Sequence, residues 1–344
     1  MPAPTIHRLR VSDVIEETAD ARSVVFEIDA AIRDRFDYRP GQFLTLRIPG
    51  TTHARCYSLA SAPDLDDELK ITIKRVDQGL GSNWLCDNAR RGTEIEVLEP
   101  SGVFTPKGLD SRYLLVAGGS GVTPIMSILK SVLGVGSGEV VLLYANRDEQ
   151  SVIFDDELRA LCARHPDRLW VEHWIESTLG RPTSDQLTAL FRDWDFDEVF
   201  VCGPQPFMDC TRKALSTMNF PREHLHIERF TSLGSDPFAG TEEPEPAPTS
   251  EPVAVSTVTV RKGGEEHTVQ WPANQRLLQA LDANGIVVPS SCAEGVCASC
   301  ECRLTAGSVE MVNNQVLEED DIADGYILAC QALPRADMLE VEFE

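Results

Sequence analysis

The chain has 344 residues, 42% of them hydrophobic, and carries a net charge of −24. That charge excludes nucleic-acid binding, which needs cations to meet phosphate, and no run approaches the roughly 18 apolar residues of a membrane span. The length allows two or three domains. Ten cysteines and no export signal ahead of the first strands predict a cytoplasmic chain whose thiols serve metal or redox chemistry.

Residues 1–107 read as short strands separated by close turn signals, the pattern of a small antiparallel β-barrel. In Arg55-Cys56-Tyr57-Ser58-Leu59, alternation puts Arg55, Tyr57 and Leu59 on one strand face and Ser58 on the other. An arginine and a tyrosine on one face could clamp a flat ligand carrying phosphate. Five residues alone fit a half-exposed strand with a surface arginine equally well. A second element shifts the balance: Gly81-Ser82-Asn83 opens an apparent helix over 84–90, where open backbone N–H groups make an anion site.

Together these stretches resemble the flavin domain of the ferredoxin–NADP⁺ reductase superfamily, with its R-x-Y-[ST] strand and later G-x-x-S helix start. The resemblance implies that Arg55 binds the FAD pyrophosphate, that Tyr57 packs on the isoalloxazine, and that Leu59 belongs to the same contact set. It implies that Ser58 hydrogen-bonds near flavin N5, the hydride acceptor. The N–H groups of Gly81, Ser82 and Asn83 would hold the pyrophosphate, and Lys74 would lie along the flavin.

From residue 108 to 232 strands and helices alternate. The run 113–117 is a continuous apolar stretch of the kind a buried parallel strand needs. The turn 118–124, Gly-Gly-Ser-Gly-Val-Thr-Pro, follows it and leads into a helix over 125–133. Glycine allows close approach to a phosphate, and Pro124 at the first helical position gives up only an unpartnered N–H. The last strand, 198–202, runs into Cys202-Gly203-Pro204. Both turns lie at carboxyl ends of strands, where open α/β sheets bind ligands. The pair resembles the same superfamily's nicotinamide motifs. By that resemblance Thr123 and Cys202 flank the reacting C4 carbon, the Gly119–Gly121 turn cradles the pyrophosphate, and Pro124, Gly203 and Pro204 complete the frame. Cys202 alone would read as a buried core thiol. At the end of the strand over 140–144, Arg147 could pair with a 2′-phosphate whereas Asp148 would repel one. The reading leans to NADH, with NADPH as the alternative. Phe230, at the domain's end, is either a shield over the flavin or a hydrophobic anchor.

Residues 233–252 are rich in proline and acid, without an apolar period; they read as a semi-rigid, solvated tether. Beyond them, 253–344 carries five Lys/Arg against fifteen Asp/Glu, a balance that would steer a basic partner into fast encounters. Cys292, Cys297 and Cys300, then Cys330 after 29 residues, give the C-x4-C-x2-C…C spacing of plant-type [2Fe–2S] proteins. Structural zinc takes two separated pairs instead. The glycine at 295 and the small residues Ser290, Ser291 and Ala298 let backbone pass close to inorganic sulfide. Cys302 is a fifth thiol, expected in the core. The surrounding strands and a helix over 276–283 resemble the β-grasp of plant-type ferredoxins.

The whole order, flavin barrel, α/β nicotinamide domain and ferredoxin, resembles the reductase components of bacterial oxygenases. The runs 81–86, 142–147 and 226–230 are most similar to the reductases of steroid 9α-hydroxylating systems. That family passes electrons from NADH through FAD and [2Fe–2S] to a terminal Rieske-type oxygenase. The reductase of a phenylacetyl-CoA epoxidase system, or a redox sensor with structural FAD, are the alternatives. No Rieske ligand set and no 2-His-1-carboxylate site are found in the sequence, so the organic substrate would belong to the partner.

Overall fold

A computed structural model describes residues 5–230, 233, 236–238, 254–290, 292–296, 298–317 and 319–343. Three principal sheets follow one another along the chain. Strands β1 (His7–Thr18), β2 (Ala21–Glu27), β3 (Phe43–Arg47), β4 (Ala54–Ser58), β5 (Leu69–Lys74) and β6 (Glu94–Val97) build the first. They are antiparallel throughout, in the order β4-β3-β6-β1-β2-β5. Period-two alternation sends Leu9, Val24, Phe26, Leu44, Leu46 and Ile71 inward, where they are fully buried. Each such side chain contributes about 1.5–3 kcal/mol of burial. A bridge between Leu59 and Ile71 draws the edges together. Helix α1 (Leu80–Asn88) packs Leu85 onto the barrel core.

The second sheet joins β7 (Arg112–Gly118), β8 (Glu139–Asn146), β9 (Leu169–Ile175), β10 (Glu198–Cys202) and β11 (Leu225–Glu228). All are parallel, in the order β11-β10-β7-β8-β9. Helices α2 (Val122–Gly134) and α3 (Asp155–Arg164) cover one face. The single turn α4 (Glu176–Leu179) precedes α5 (Ser184–Phe191), which covers the other face with α6 (Gln205–Thr217). With both faces covered, the strands must be apolar throughout, which is why 114–117 is fully buried. The order reverses between β7 and β10, so their carboxyl ends form the topological switch point.

The third sheet is mixed: β12 (Val255–Lys262), β13 (Glu265–Pro272), β14 (Glu301–Ala306), β16 (Tyr326–Leu328) and β18 (Met338–Phe343) pair in the order β13-β12-β18-β14-β16. A small pair, β15 (Val309–Met311) with β17 (Ala332–Pro334), stands beside it. Helix α7 (Leu277–Ala283) lays Leu277, Leu278 and Leu281 on the sheet, and α8 (Glu319–Ala323) precedes β16. Cys302 is buried in this core, as strand alternation requires.

The domains meet through specific contacts. Lys130 of α2 is buried, with its ammonium 2.6 Å from Asp66 of the barrel and 3.2 Å from Glu157 of α3. Lys70 of β5 reaches the same Glu157 at 2.9 Å. Lys130→Met strands two carboxylates beside one lysine. Because both carboxylates keep partial solvent contact, the expected loss of stability is about 1–3 kcal/mol, read as a lower urea midpoint. An unchanged midpoint contradicts a structural role for the network.

The stretch expected to be a tether starts differently. Leu233 and Phe238 are buried on the barrel, so the solvated reading fails at its first residues. The remainder, 234–235 and 239–252, lies outside the described residues.

Candidate functional site

The switch point is built by backbone packed on backbone. A Cβ on Gly121 would lie 2.1 Å from the Cys202 carbonyl oxygen, and one on Gly118 would lie 2.7 Å from Pro204 Cδ. A Cβ on Gly203 would lie 2.9 Å from the Gly118 backbone nitrogen. The two turns expected to frame the nicotinamide are therefore in contact. Thr123 is buried and donates its hydroxyl to the Ser120 carbonyl at 3.1 Å. A 3₁₀ turn over Gly119–Gly121 leads into α2, so Pro124 stands third in the helix, not first. The third N–H also lacks an intrahelical partner, and proline is tolerated there for the same reason. Tyr144 of β8 pins the turn by donating its hydroxyl to the Gly119 carbonyl at 3.2 Å. Arg147 is exposed at the end of β8 and pairs with Asp148 at 3.1 Å. That bond holds the Asp148 carboxyl below its ordinary range.

Across the domain boundary stands a residue to which the sequence reading gives no role. Glu228 of β11 pairs in register with Cys202 of β10, and its carboxylate accepts a 3.4 Å hydrogen bond from the Ser58 hydroxyl of β4. Burial pushes the Glu228 carboxyl up to about 8, and the Ser58 bond only partly offsets it. Burial likewise drives the Cys202 thiol well above its usual value, with Glu228 adding to it. Ser58, Glu228 and Cys202 thus form a polar cluster in which burial disfavours charge on both ionisable groups. Its only sequence signal was a glutamate next to arginine and phenylalanine on a short final strand.

On the other side of β4, the Cβ position of Gly81 lies 2.9 Å from Arg55 Cγ and 3.3 Å from the Tyr57 hydroxyl oxygen. The predicted arginine, tyrosine and helix start therefore converge. Burial raises the Tyr57 phenol well above its usual range. The helix begins at Leu80, a turn earlier than expected, and the Asn83 N–H donates to the Gly79 carbonyl at 3.1 Å. Asn83 is the first residue with an intrahelical acceptor, so its N–H is not available to an anion. The open donors of this turn belong to Leu80, Gly81 and Ser82. Leu59 is fully buried in the barrel core, and its N–H serves the Gln42 carbonyl; its side chain is not part of a cofactor face. Lys74 reaches toward the Gly119 turn, 3.9 Å from its Cβ position, and lies 3.8 Å from Asp20.

The cluster loop gathers Cys292, Cys300 and Cys330 in buried positions; Cys297 lies outside the described residues. Ala293, Gly295 and Ala298 all have left-handed backbone (φ 55°, 78° and 55°), a coil that turns the chain around a centre. A Cβ on Gly295 would sit 2.7 Å from the Asn313 carbonyl oxygen, so glycine is required. The Cys330 sulfur is within hydrogen-bonding reach of Cys292 and Cys300. Backbone N–H groups of Glu294 and Cys330 point at the sulfurs of Cys292 and Cys300, each at 3.4 Å. The Gln331 amide donates to Cys330 sulfur at 3.4 Å and to the Ala293 carbonyl at 2.9 Å. Donors aimed at converging sulfurs suit thiolate ligands, and a [2Fe–2S] cluster fits these residues.

A cavity of about 1170 Å³ opens where the three units meet, lined among others by Ser58, Glu228, Phe230 and Val296. Phe230 is 53% exposed there, so it is not a buried anchor of β11.

Three family profiles match: an oxidoreductase FAD-binding domain over 8–105, an oxidoreductase NAD-binding domain over 115–213, and a 2Fe-2S iron-sulfur cluster binding domain over 260–335. The chain is 54% identical, over 97% of its length and 96% of that protein, to a 3-ketosteroid-9-alpha-monooxygenase ferredoxin reductase component of Rhodococcus rhodochrous. It is 32% identical to one component of the 1,2-phenylacetyl-CoA epoxidase of Escherichia coli, over 99% of this chain and 98% of that one. Among solved structures, phthalate dioxygenase reductase superposes with a TM-score of 0.57 at 26% identity, covering 98% of both chains. The chain belongs to the family of 3-ketosteroid-9-alpha-monooxygenase ferredoxin reductase components, oxidoreductases that use NADH, FAD and a [2Fe–2S] cluster.

Proposed function

We propose that this reductase delivers electrons from NADH, through FAD and [2Fe–2S], to a terminal Rieske-type oxygenase that 9α-hydroxylates 3-ketosteroids. One observation supports the route above others. Strand β4 meets the nicotinamide switch point at Ser58, through Glu228, and packs two and four residues earlier, at Cys56 and Ala54, beside Cys292 of the cluster loop. A flavin seated on that strand has the donor at one end and the acceptor at the other. FAD, when bound, takes two electrons together and gives them up singly.

The residues divide the work. Arg55, with the Gly81 and Ser82 N–H groups, would hold the pyrophosphate, and Tyr57 would pack on the ring. Ser58, whose hydroxyl donates to Glu228 in this structure, would stand beside flavin N5. Thr123 and Cys202 would flank the nicotinamide, and Phe230 would shield the flavin face that nicotinamide must reach. Asp148 keeps its charge beside Arg147, which favours a ribose hydroxyl over a 2′-phosphate and hence NADH. The working divisions are 1–107, 108–232, 233–252 and 253–344, with Leu233, Asp236 and Phe238 held on the barrel. Among the described residues no helix is long and apolar enough to cross a membrane. Nine described cysteines form no disulfide, which suits a reducing cytoplasm.

Glu228 predicts a pH effect. Its folded value near 8 lies above the ordinary carboxylate value. The proton it holds therefore favours the fold below the ordinary value, and that contribution is lost as pH rises through about 8. Above that pH an anion appears beside the reacting atoms, at a cost of about 1–4 kcal/mol for charges some 4 Å apart. Flavin bleaching by NADH should slow several-fold between pH 7 and 9, and Glu228→Gln should flatten that profile. A slope unchanged in the glutamine variant assigns the titration elsewhere.

The test of the whole reading is NADH-driven hydroxylation of a 3-ketosteroid by the purified oxygenase component supplied with this reductase. Product that depends on both proteins is expected. NADH oxidation without product, where an authentic steroid-system reductase succeeds, overturns the assignment of the partner.

A further inference from the structure

We propose that Leu233, Asp236 and Phe238 form a positioning strap that holds the cluster loop against strand β4 and sets the rate of electron transfer from flavin to cluster. The inference rests on the proposed route through FAD and the cluster. The strap lies outside all three matched domains, which end at 213 and resume at 260, and its composition is that of a linker.

Its contacts are not those of a linker. Phe238 is 5% exposed, and the Arg47 guanidinium of β3 lies 4.5 Å from its ring centroid, a cation–π geometry. Arg47 also pairs with Asp236 at 3.1 Å and with Glu96 of β6 at 3.0 Å, so the anchor is fixed to two barrel strands. Asp236 in turn accepts a 3.0 Å bond from the Phe238 N–H, which closes the turn and faces the ring inward. Leu233 and Phe238 then complete one apolar cluster with Ala54, Cys56 and Leu98 of the barrel and Cys292 and Val296 of the cluster loop.

Without the strap, the described loop residues Cys292 and Val296 meet the barrel in this cluster through Ala54, Cys56 and Leu98, while Arg222 on Asp321 and Arg229 on the Val316 carbonyl tie the same unit to the nicotinamide domain. Five side chains are far fewer than a lasting interface engages. Leu233 and Phe238, carried on the same chain, add to the contact at high effective concentration. Electron tunnelling weakens steeply with distance, so a loosened loop is a slow acceptor. The two electrons that NADH supplies would leave the FAD one at a time, each reducing one ferric ion of the cluster to ferrous, and the oxygenase would reoxidise the cluster between them.

The experiment compares Phe238→Ala, Asp236→Asn and Phe238→Leu with the parent protein, all loaded to equal flavin and iron content. Under anaerobic mixing with NADH, flavin bleaching should be unchanged in all of them. Reduction of the cluster should slow by about tenfold or more in Phe238→Ala, equivalent to about 1.4 kcal/mol of docked state, with Phe238→Leu largely restored. Amide hydrogen exchange should rise by a similar factor in β4 and in 292–296. Cluster reduction at the parental rate in both Phe238→Ala and Asp236→Asn overturns the strap, as does faster exchange without slower transfer. If the parent protein itself bleaches its flavin and never reduces its cluster, the route beneath the inference fails first.

Discussion

Cys292→Ser, Cys297→Ser, Cys300→Ser and Cys330→Ser should each purify with flavin and without a stable cluster, and each should leave the partner oxygenase without electrons. NADH-dependent ferricyanide reduction should persist at close to the parental rate, because the flavin and nicotinamide residues lie in the other two units. Spacing is the first ground for this: only these four match the plant-type pattern. The structure adds that Cys292, Cys300 and Cys330 converge in a loop whose N–H groups and Gln331 amide point at sulfur. Cys302→Ser is the control. Its side chain turns into the sheet core, where burial keeps the thiol protonated, so the cluster should remain. Iron and sulfide analysis of the purified proteins decides the matter, and a Cys302 variant without cluster would sink the ligand assignment.

Gly121→Ala should separate hydride transfer from flavin binding. A methyl at this position meets three backbone atoms of Cys202 and Gly203 at 2.1–2.7 Å. None can swing aside as a side chain could. The two turns of the switch point must part by about an ångström, and a displacement of that size at reacting groups costs about a hundredfold in rate. The flavin spectrum and flavin content should be normal, while bleaching by NADH slows by about that factor. Gly108→Ala, in open space, should do nothing. Parental bleaching in Gly121→Ala contradicts the placement of nicotinamide at this crossing.

What could be read from sequence was what local pattern encodes. Fixed cysteine spacing, glycine turns after apolar strands and alternation in β4 each state a local geometry, and the fold assembled them as expected. What escaped was set by contacts between units. Glu228 acquires its high proton affinity from burial where β11 meets the barrel, against the opposing pull of the Ser58 bond. Phe238 sits in an acidic, proline-rich stretch whose average composition hides one well-packed ring. The shift at α1 has a local cause: Gly79 closes a turn onto Val76 and starts the helix early. That consumes the Asn83 N–H and leaves the anion site to the residues before it.

Rapid anaerobic mixing of the flavin- and cluster-loaded protein with one equivalent of NADH tests the central claim most directly, with flavin followed by absorbance and the cluster by electron paramagnetic resonance of frozen samples. The account predicts that flavin bleaches first and that the signal of the reduced cluster then grows while the flavin regains colour only in part, at matching rates, because the second of the two electrons stays on the flavin. A cluster that is reduced before or without the flavin, or that stays oxidised while the flavin remains bleached, would contradict it.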